Sequence, residues 1–120
     1  MFDPLGYLDL AHELASGDEA KMRTSVNRAY YALFLRARDA LAAAHLIIPH
    51  DDGTDHGRVI AALRQNKRVT PGNKLDKLRE LRWKADYSTS APVSDPDVRQ
   101  AFQLADDIKT SLARDWGIAP

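Results

Sequence analysis

The sequence predicts an all-α protein in which residues 1–120 form one domain, an antiparallel bundle of about five helices. Three observations favour this fold class. Apolar residues recur every three or four positions in several segments, which is the period of a helix. Capping residues, some followed by proline, precede those segments. No segment alternates apolar and polar residues as a strand does.

The first two helices have clear boundaries. Asp3 and Pro4 begin the first helix, and Gly17 ends it. Asp18 then caps a second helix that is expected to be the longest and to run to about His45. Its apolar residues form one continuous stripe: Met22, Val26, Tyr30, Leu33, Ala37, Leu41 and Ala44. This stripe predicts that the second helix lies against the core.

Polar loops separate the remaining three helices. Thr54 is expected to cap the third helix, and Thr70 with Pro71 begins the fourth, which closes at Tyr87. The fifth helix begins at the pair 95–96, an aspartate followed by proline, and the glycine and proline at 117 and 120 end it. Eight side chains are predicted to be buried: Val26, Leu33, Phe34, Val59, Leu63, Leu78, Phe102 and Ile108.

Composition limits the possible functions. The chain has no cysteine, which excludes disulfides, thiolate metal ligands and thiol nucleophiles. No apolar run approaches the roughly 20 residues of a membrane span, so we expect a cytoplasmic protein without membrane contact. The histidines lack the spacing of a metal site, and no metal or cofactor is predicted. His50 with Asp51, Asp52 and Asp55 is interpreted as a solvated loop rather than a weak cation site.

Charge is balanced overall but not locally. Seventeen basic and seventeen acidic residues cancel, so the net charge does not attract nucleic acid. Between positions 64 and 84 basic residues dominate: Arg64, Lys67, Arg68, Lys74, Lys77, Arg79, Arg82 and Lys84. Two interpretations are open, a solvated helix face or a surface that contacts phosphates or an acidic partner.

One motif lies in the second helix. Residues 25–34 read Ser-Val-Asn-Arg-Ala-Tyr-Tyr-Ala-Leu-Phe, residues 55–57 read Asp-His-Gly, and the fourth helix closes with Ala-Asp-Tyr at 85–87 after Leu81 and Arg82. In this order the three segments resemble the small prokaryotic HEPN proteins, over about residues 20–90. The resemblance implies a helical bundle that pairs as a homodimer and often accompanies a nucleotidyltransferase.

Helical geometry places the arginine of this motif on a second face. Arg28 lies about 200° from Val26 around the helix, away from the apolar stripe. Tyr31, Leu35 and Arg38 share its face, whereas Tyr30 and Phe34 extend the core side. For Tyr31 both core packing and a position along the arginine face stay open.

HEPN ribonucleases, as a family, use an arginine and a histidine a few residues apart. Imidazole moves protons near neutral pH, and a guanidinium stabilises charge on the phosphorane. Here Leu35 stands where related sequences often have the histidine after Arg28, and leucine cannot transfer a proton. The one literal match to the spacing is Arg38 with His45, and about one such match is expected by chance in this composition.

Three functions therefore stay open. The first is a HEPN-like module that binds RNA, a nucleotide or a protein partner through Arg28, Tyr31, His56 and Arg82, in a toxin–antitoxin or defence setting. The second is a metal-independent endoribonuclease toxin, with Arg28, Arg38, His45 and His56 as candidate catalytic residues. The third is a structural dimerisation bundle. Leu35 favours the first, while His56 is equally compatible with half-buried packing.

Overall fold

A computed structural model describes residues 2–116, and in that range the chain forms five helices and no strand. They are α1 (Gly6–Leu14), α2 (Glu19–Ala43), α3 (Asp55–Gln65), α4 (Val69–Tyr87) and α5 (Asp95–Trp116). The predicted all-α bundle is confirmed. The residues expected to end α5, Gly117 and Pro120, lie outside the described range. Within that range no helix combines the length and apolar character needed to cross a bilayer.

The long helix α2 organises the bundle, because it packs against each of the four other helices. Its 25 residues span about 37 Å at 1.5 Å per residue, close to the 40 Å long axis of the molecule. Asp18 caps it as predicted, accepting a hydrogen bond from the Lys21 N–H at 3.0 Å. The buried Ser25 hydroxyl donates to the Ala11 carbonyl at 2.7 Å and ties α2 to α1.

The predicted core is confirmed with one exception. Seven of the eight side chains expected inside are buried: Val26, Leu33, Phe34, Val59, Leu63, Leu78 and Ile108. Phe102 is only half-buried, so that prediction was wrong. Its ring stacks on the exposed imidazole of His12, with centroids 4.1 Å apart and planes at 7°. The periodicity predicted the correct face of α5. It could not show that Phe102 stacks on the polar side chain of His12 at the edge of the core.

Boundaries of three helices differ from the sequence prediction. α1 spans Gly6–Leu14, whereas Asp3 and Pro4 were expected to begin it and Gly17 to end it. Pro4 and Leu5 instead form a turn in which the Asp3 carboxylate accepts from the Leu5 N–H at 3.0 Å. α2 ends at Ala43 rather than near His45, because His45 adopts φ 60° and the Leu46 N–H turns back to the Leu41 carbonyl at 2.9 Å. These are the left-handed residue and the six-to-one bond of a Schellman motif, which terminates a helix. α4 begins at Val69 rather than at Thr70 and Pro71. Pro71 is tolerated in the first turn, where backbone N–H groups have no intrahelical acceptor.

The start of α3 is stabilised by a residue other than the predicted one. Thr54 stands at the capping position, but its side chain makes no capping bond. Instead the buried Asp55 carboxylate accepts from the His50 N–H at 3.0 Å and the Asp51 N–H at 2.9 Å, and pairs with Arg58 at 2.8 Å. Those hydrogen bonds, led by the one from His50, lower the pKa of Asp55. Asp55 therefore fastens the preceding loop onto α3.

Candidate functional site

The face of α2 that was predicted to bear the arginine is partly open. Arg28, Tyr31, Leu35 and Arg38 are all half-buried. Two surface grooves lie along it, with Arg28 and Arg38 about 15 Å apart along the helix axis. We call the first the Arg28 groove, lined by Arg23, Thr24, Asn27, Arg28, Ala85, Asp86 and Tyr87. The second is the His56 groove, lined by Tyr31, Phe34, Leu35, Arg38, Asp51, Asp52, Asp55 and His56.

The Arg28 groove, about 430 Å³ in volume, contains a guanidinium without a carboxylate partner. Arg28 lies over the Tyr7 ring, 5.3 Å from its centroid. Among the ion pairs formed by residues 2–114, none includes Arg28. The aromatic face orients the cation but does not neutralise it. Arg28 can therefore still bind an anion.

Arg23, one turn earlier on α2, is fully engaged in the wall of the same groove. Its guanidinium donates to the Ala85 and Ser88 carbonyls at 3.0 Å and to the Ala91 carbonyl at 2.8 Å. It also pairs with Glu19 at 2.8 Å. These bonds satisfy carbonyl groups at the end of α4 and in the following loop, which a helix otherwise leaves without donors. Arg23 thereby fixes the segment that presents Asp86 and Tyr87.

A polar bridge links α2 to α4 in the wall of this groove. The Asn27 amide nitrogen donates to the Asp86 carboxylate at 2.9 Å, and Arg82 approaches the same oxygen at 3.4 Å. Since a carboxylate only accepts, the amide orientation of Asn27 is determined. Tyr87 follows Asp86 with its ring largely exposed. The groove thus combines an unpaired cation, a fixed carboxylate and an open aromatic face.

An aromatic cluster surrounds His56 where α2, α3 and α4 meet. The imidazole stacks on Phe34 with centroids 4.2 Å apart, and its Nδ1 lies 2.5 Å from the Tyr30 hydroxyl. Tyr31 meets it edge-on at 5.9 Å. The Arg82 guanidinium lies 5.3 Å from the Tyr30 ring centroid and 5.8 Å from that of Tyr31. The four candidate binding residues therefore divide: Tyr31, His56 and Arg82 come together, and Arg28 lies in the neighbouring groove.

This cluster favours uncharged forms of its titratable groups. Burial lowers the pKa of His56, and the charges of Arg82 and Arg79 lower it further. Burial raises the pKa of Tyr30 above its usual value. At neutral pH His56 is thus a neutral imidazole beside a protonated phenol. No residue in the described chain hydrogen-bonds its Nε2, which leaves that nitrogen for another partner.

The arginine and histidine with the family's spacing, Arg38 and His45, do not share a groove. Arg38 lines the His56 groove and pairs with Asp39 at 3.2 Å and with Asp51 at 3.7 Å. His45 lies past the end of α2 and lines a different cavity with Leu46 to Ile48. Two turns of continuous helix were needed to align the two side chains, and the Schellman motif ends the helix first.

Four of the eight basic residues between positions 64 and 84 are paired with aspartates. Arg64 pairs with Asp76, Lys74 with Asp107, Arg82 with Asp86 and Lys84 with Asp97, at 2.8 to 3.4 Å. These pairs favour the interpretation of a solvated helix face over that of a phosphate-binding surface. The acidic loop also has a structural explanation. Ligand atoms of His50, Asp52 and Asp55 lie within 4.8 Å of one another, but both Asp55 oxygens already accept backbone hydrogen bonds.

Sequence reasoning missed three residues of these grooves. Asn27 and Asp86 stand inside the motifs of the resemblance, but nothing in a single sequence shows that they face each other across two helices. Arg23 lies one helical turn before Asn27, and its length is the only feature that suggests it can cap the distant end of α4. Tyr30 was assigned to core packing, which its burial confirms, yet its hydroxyl also engages His56.

Comparison with protein-family models, curated proteins and solved structures found no match to this chain. The resemblance to HEPN proteins therefore depends on the three motifs alone.

Proposed function

We propose that this protein is a HEPN-like module that binds single-stranded RNA or a nucleotide at the Arg28 groove. The observation that carries the proposal is the unpaired Arg28 guanidinium, which lies over Tyr7 in an open groove. A guanidinium in this state binds a phosphate through several directed donors. The exposed Tyr87 ring in the same groove offers a stacking surface for a base.

Nucleic-acid binding without a net positive charge requires a local cation, and Arg28 is the clearest one on this face. Other arginines near it already have partners: Arg23 binds carbonyls and Glu19, Arg82 pairs with Asp86, and Arg38 pairs with two aspartates. We therefore expect few phosphate contacts, and so moderate affinity with a shallow dependence on salt.

A second candidate function is metal-independent RNA cleavage, which the pairing of His56 with Arg82 favours. Neutral His56 can accept the proton of a 2′-hydroxyl through Nε2 as that oxygen attacks phosphorus to form a 2′,3′-cyclic phosphate, and the departing 5′-oxygen takes a proton from water. Arg82 would stabilise the negative charge on the phosphorane. In this arrangement α3 supplies the histidine that Leu35 replaces on α2. Arg82 is already paired with Asp86, and for this reason we rank cleavage below binding.

The test is binding of a labelled 12-nucleotide single-stranded RNA between 50 and 200 mM salt (about the range in which phosphate contacts are most visible). Wild type should bind more weakly as salt rises. Arg28→Ala should weaken binding about tenfold and reduce the slope of log affinity against log salt by about one. The matched control is Arg99→Ala, which removes an exposed arginine on α5 and should change neither quantity.

Two results would contradict the proposal: no binding by wild type at any salt concentration, or equal binding by wild type and Arg28→Ala. A gel of the same mixtures tests the second candidate. Cleavage that His56→Ala abolishes would assign catalysis to α3, whereas we expect the RNA to stay intact.

The expected homodimer and the nucleotidyltransferase partner stay predictions. Large apolar side chains available to such contacts include Trp83 and Tyr87 on α4 and Ile48 after α2, all more than half exposed.

A further inference from the structure

The Arg28 groove contains a carboxylate with one oxygen engaged and one oxygen open. Asp86 Oδ2 accepts from the Asn27 amide at 2.9 Å and from Arg82 at 3.4 Å. No hydrogen bond within the described chain reaches Oδ1, and the side chain is 24% exposed where it lines the groove. The two donors keep the carboxylate in one orientation. Oδ1 is therefore a free acceptor on a carboxylate that lines the groove.

An aromatic ring and a cation stand beside this acceptor. Tyr87 is 62% exposed, and the centroid of its ring lies 5.7 Å from that of the Trp83 ring, with the planes at 49°. Arg28 lines the same groove without an anionic partner. The groove, about 430 Å³, is open to solvent and is large enough for one base with its phosphate. A planar heterocycle with hydrogen-bond donors on one edge and a phosphate attached matches this set of groups.

We propose that the Arg28 groove selects guanine, with Asp86 reading the base, Tyr87 stacking on it and Arg28 contacting the adjacent phosphate. The inference rests on the proposed nucleotide-binding function and names its preferred base. Guanine presents two neighbouring donors on its Watson–Crick edge, the N1–H and the exocyclic amino group, and the two lone pairs of Oδ1 can accept both.

The other bases lack this pattern. Adenine and cytosine each place an acceptor nitrogen beside a single amino group, and uracil places one N–H between two carbonyl oxygens. An acceptor of the base that approaches Oδ1 would meet another acceptor, which costs affinity instead of adding to it. Each of these bases offers Oδ1 only one donor, next to an acceptor that repels it, so Asp86 favours the base that offers two donors.

Asn27 and Arg23 act as positioning residues in this account. Asn27 donates a hydrogen bond to the carboxylate, and Arg23 anchors the end of α4 through the Ala85 and Ser88 carbonyls. A site that recognises one base needs such support, because discrimination between bases depends on a fixed position of the acceptor atom.

The experiment uses ten-nucleotide oligouridylates that contain a single central guanine, adenine or cytosine. Wild type should bind the guanine-containing strand about tenfold more tightly than the other two, near the lower end of the discrimination that a specific base contact provides. Asp86→Asn should remove that preference while it keeps the affinity for the adenine-containing strand. This substitution preserves shape and an acceptor for Asn27, so the fold is retained. Asp106→Asn, at an exposed position on α5, is the matched control and should keep the preference.

Competition by GMP and AMP distinguishes recognition of a free nucleotide from recognition of a base within RNA. Displacement by GMP but not by AMP supports recognition of the free nucleotide, and a guanine preference seen only in the strand supports recognition within RNA. Equal affinity for the three strands in wild type would overturn the guanine inference and leave the proposed function intact. Binding of none of them would overturn both.

Discussion

The two grooves on α2 lie on one helix face, but they differ in whether their arginines have a carboxylate partner. In the His56 groove, Arg38 is paired with Asp39 and Asp51, and the Asp55 carboxylate is engaged by backbone N–H groups and Arg58. In the Arg28 groove, Arg23 is engaged by carbonyl groups, whereas Arg28 has only the Tyr7 ring.

This difference shows that a charged residue on a helix face does not by itself indicate function. Arg23, Arg28 and Arg38 belong to the same helix, and only their surroundings distinguish a structural cation, an available cation and a neutralised one. All three are half-buried, so the degree of burial does not distinguish them; their hydrogen-bonding and ionic partners do. An arginine left without a carboxylate at an open groove is thus the better candidate for binding.

The largest expected effect separates Arg23 from Arg28. Arg23→Ala should lower the free energy of unfolding by about 3 kcal/mol, because several carbonyl groups at the end of α4 lose their donor. Arg28→Ala should change it by no more than about 0.5 kcal/mol. Urea denaturation of the two variants measures both values. A loss of similar size in Arg28→Ala would mean that Arg28 is structural too, and the contrast between the two arginines would fail.

A smaller effect, the pH dependence of stability, tests whether His56 is neutral in the folded protein. The folded state lowers the pKa of His56 below its ordinary value of 6.5, so the unfolded chain binds a proton more readily below that pH. The contribution of neutral His56 to the free energy of unfolding is therefore fully present above about pH 6.5. It should decrease as the pH falls through about 6 toward the pKa of His56 in the folded state. His56→Gln, which keeps a partner for the Tyr30 hydroxyl, should flatten this dependence.

The measurement is the free energy of unfolding by urea between pH 7 and 5 for both proteins. The carboxylates with lowered pKa, Asp52, Asp55, Asp97 and Asp107, begin to act only below their ordinary value of 3.8, outside this window. An unchanged pH dependence in His56→Gln would show that the imidazole is not held in a neutral form by its surroundings.

Local patterns in the sequence were sufficient for the helices and for most of the core. The apolar stripe of α2 and the cap at Asp18 predicted the central helix, and Val26 and Leu33 are buried as expected. The boundary at His45 was missed because a left-handed conformation is usually marked by glycine, and histidine gives no such signal. The start of α4 was predicted from Thr70 and Pro71 and lies earlier, at Val69, because proline is accepted at several positions of a first turn.

The sequence predicted the face of the candidate site but not its partners. Helical spacing placed Tyr31, Leu35 and Arg38 beside Arg28, and the structure shows all four half-exposed. It could not show that Asn27 meets Asp86 or that Tyr30 meets His56, because these contacts join residues 59 and 26 positions apart. Such pairs depend on how the helices pack, and local periodicity contains no information about that.

The most direct test of the central claim is a map of where RNA binds. Two-dimensional amide NMR spectra of wild-type protein, recorded while a ten-nucleotide single-stranded RNA with one central guanine is added, report on both grooves at once. The account predicts that the largest shifts fall in residues 23–31 and 82–88, around Arg28, Asp86 and Tyr87. Shifts concentrated instead in residues 38–56, around Arg38 and the acidic loop, would contradict it.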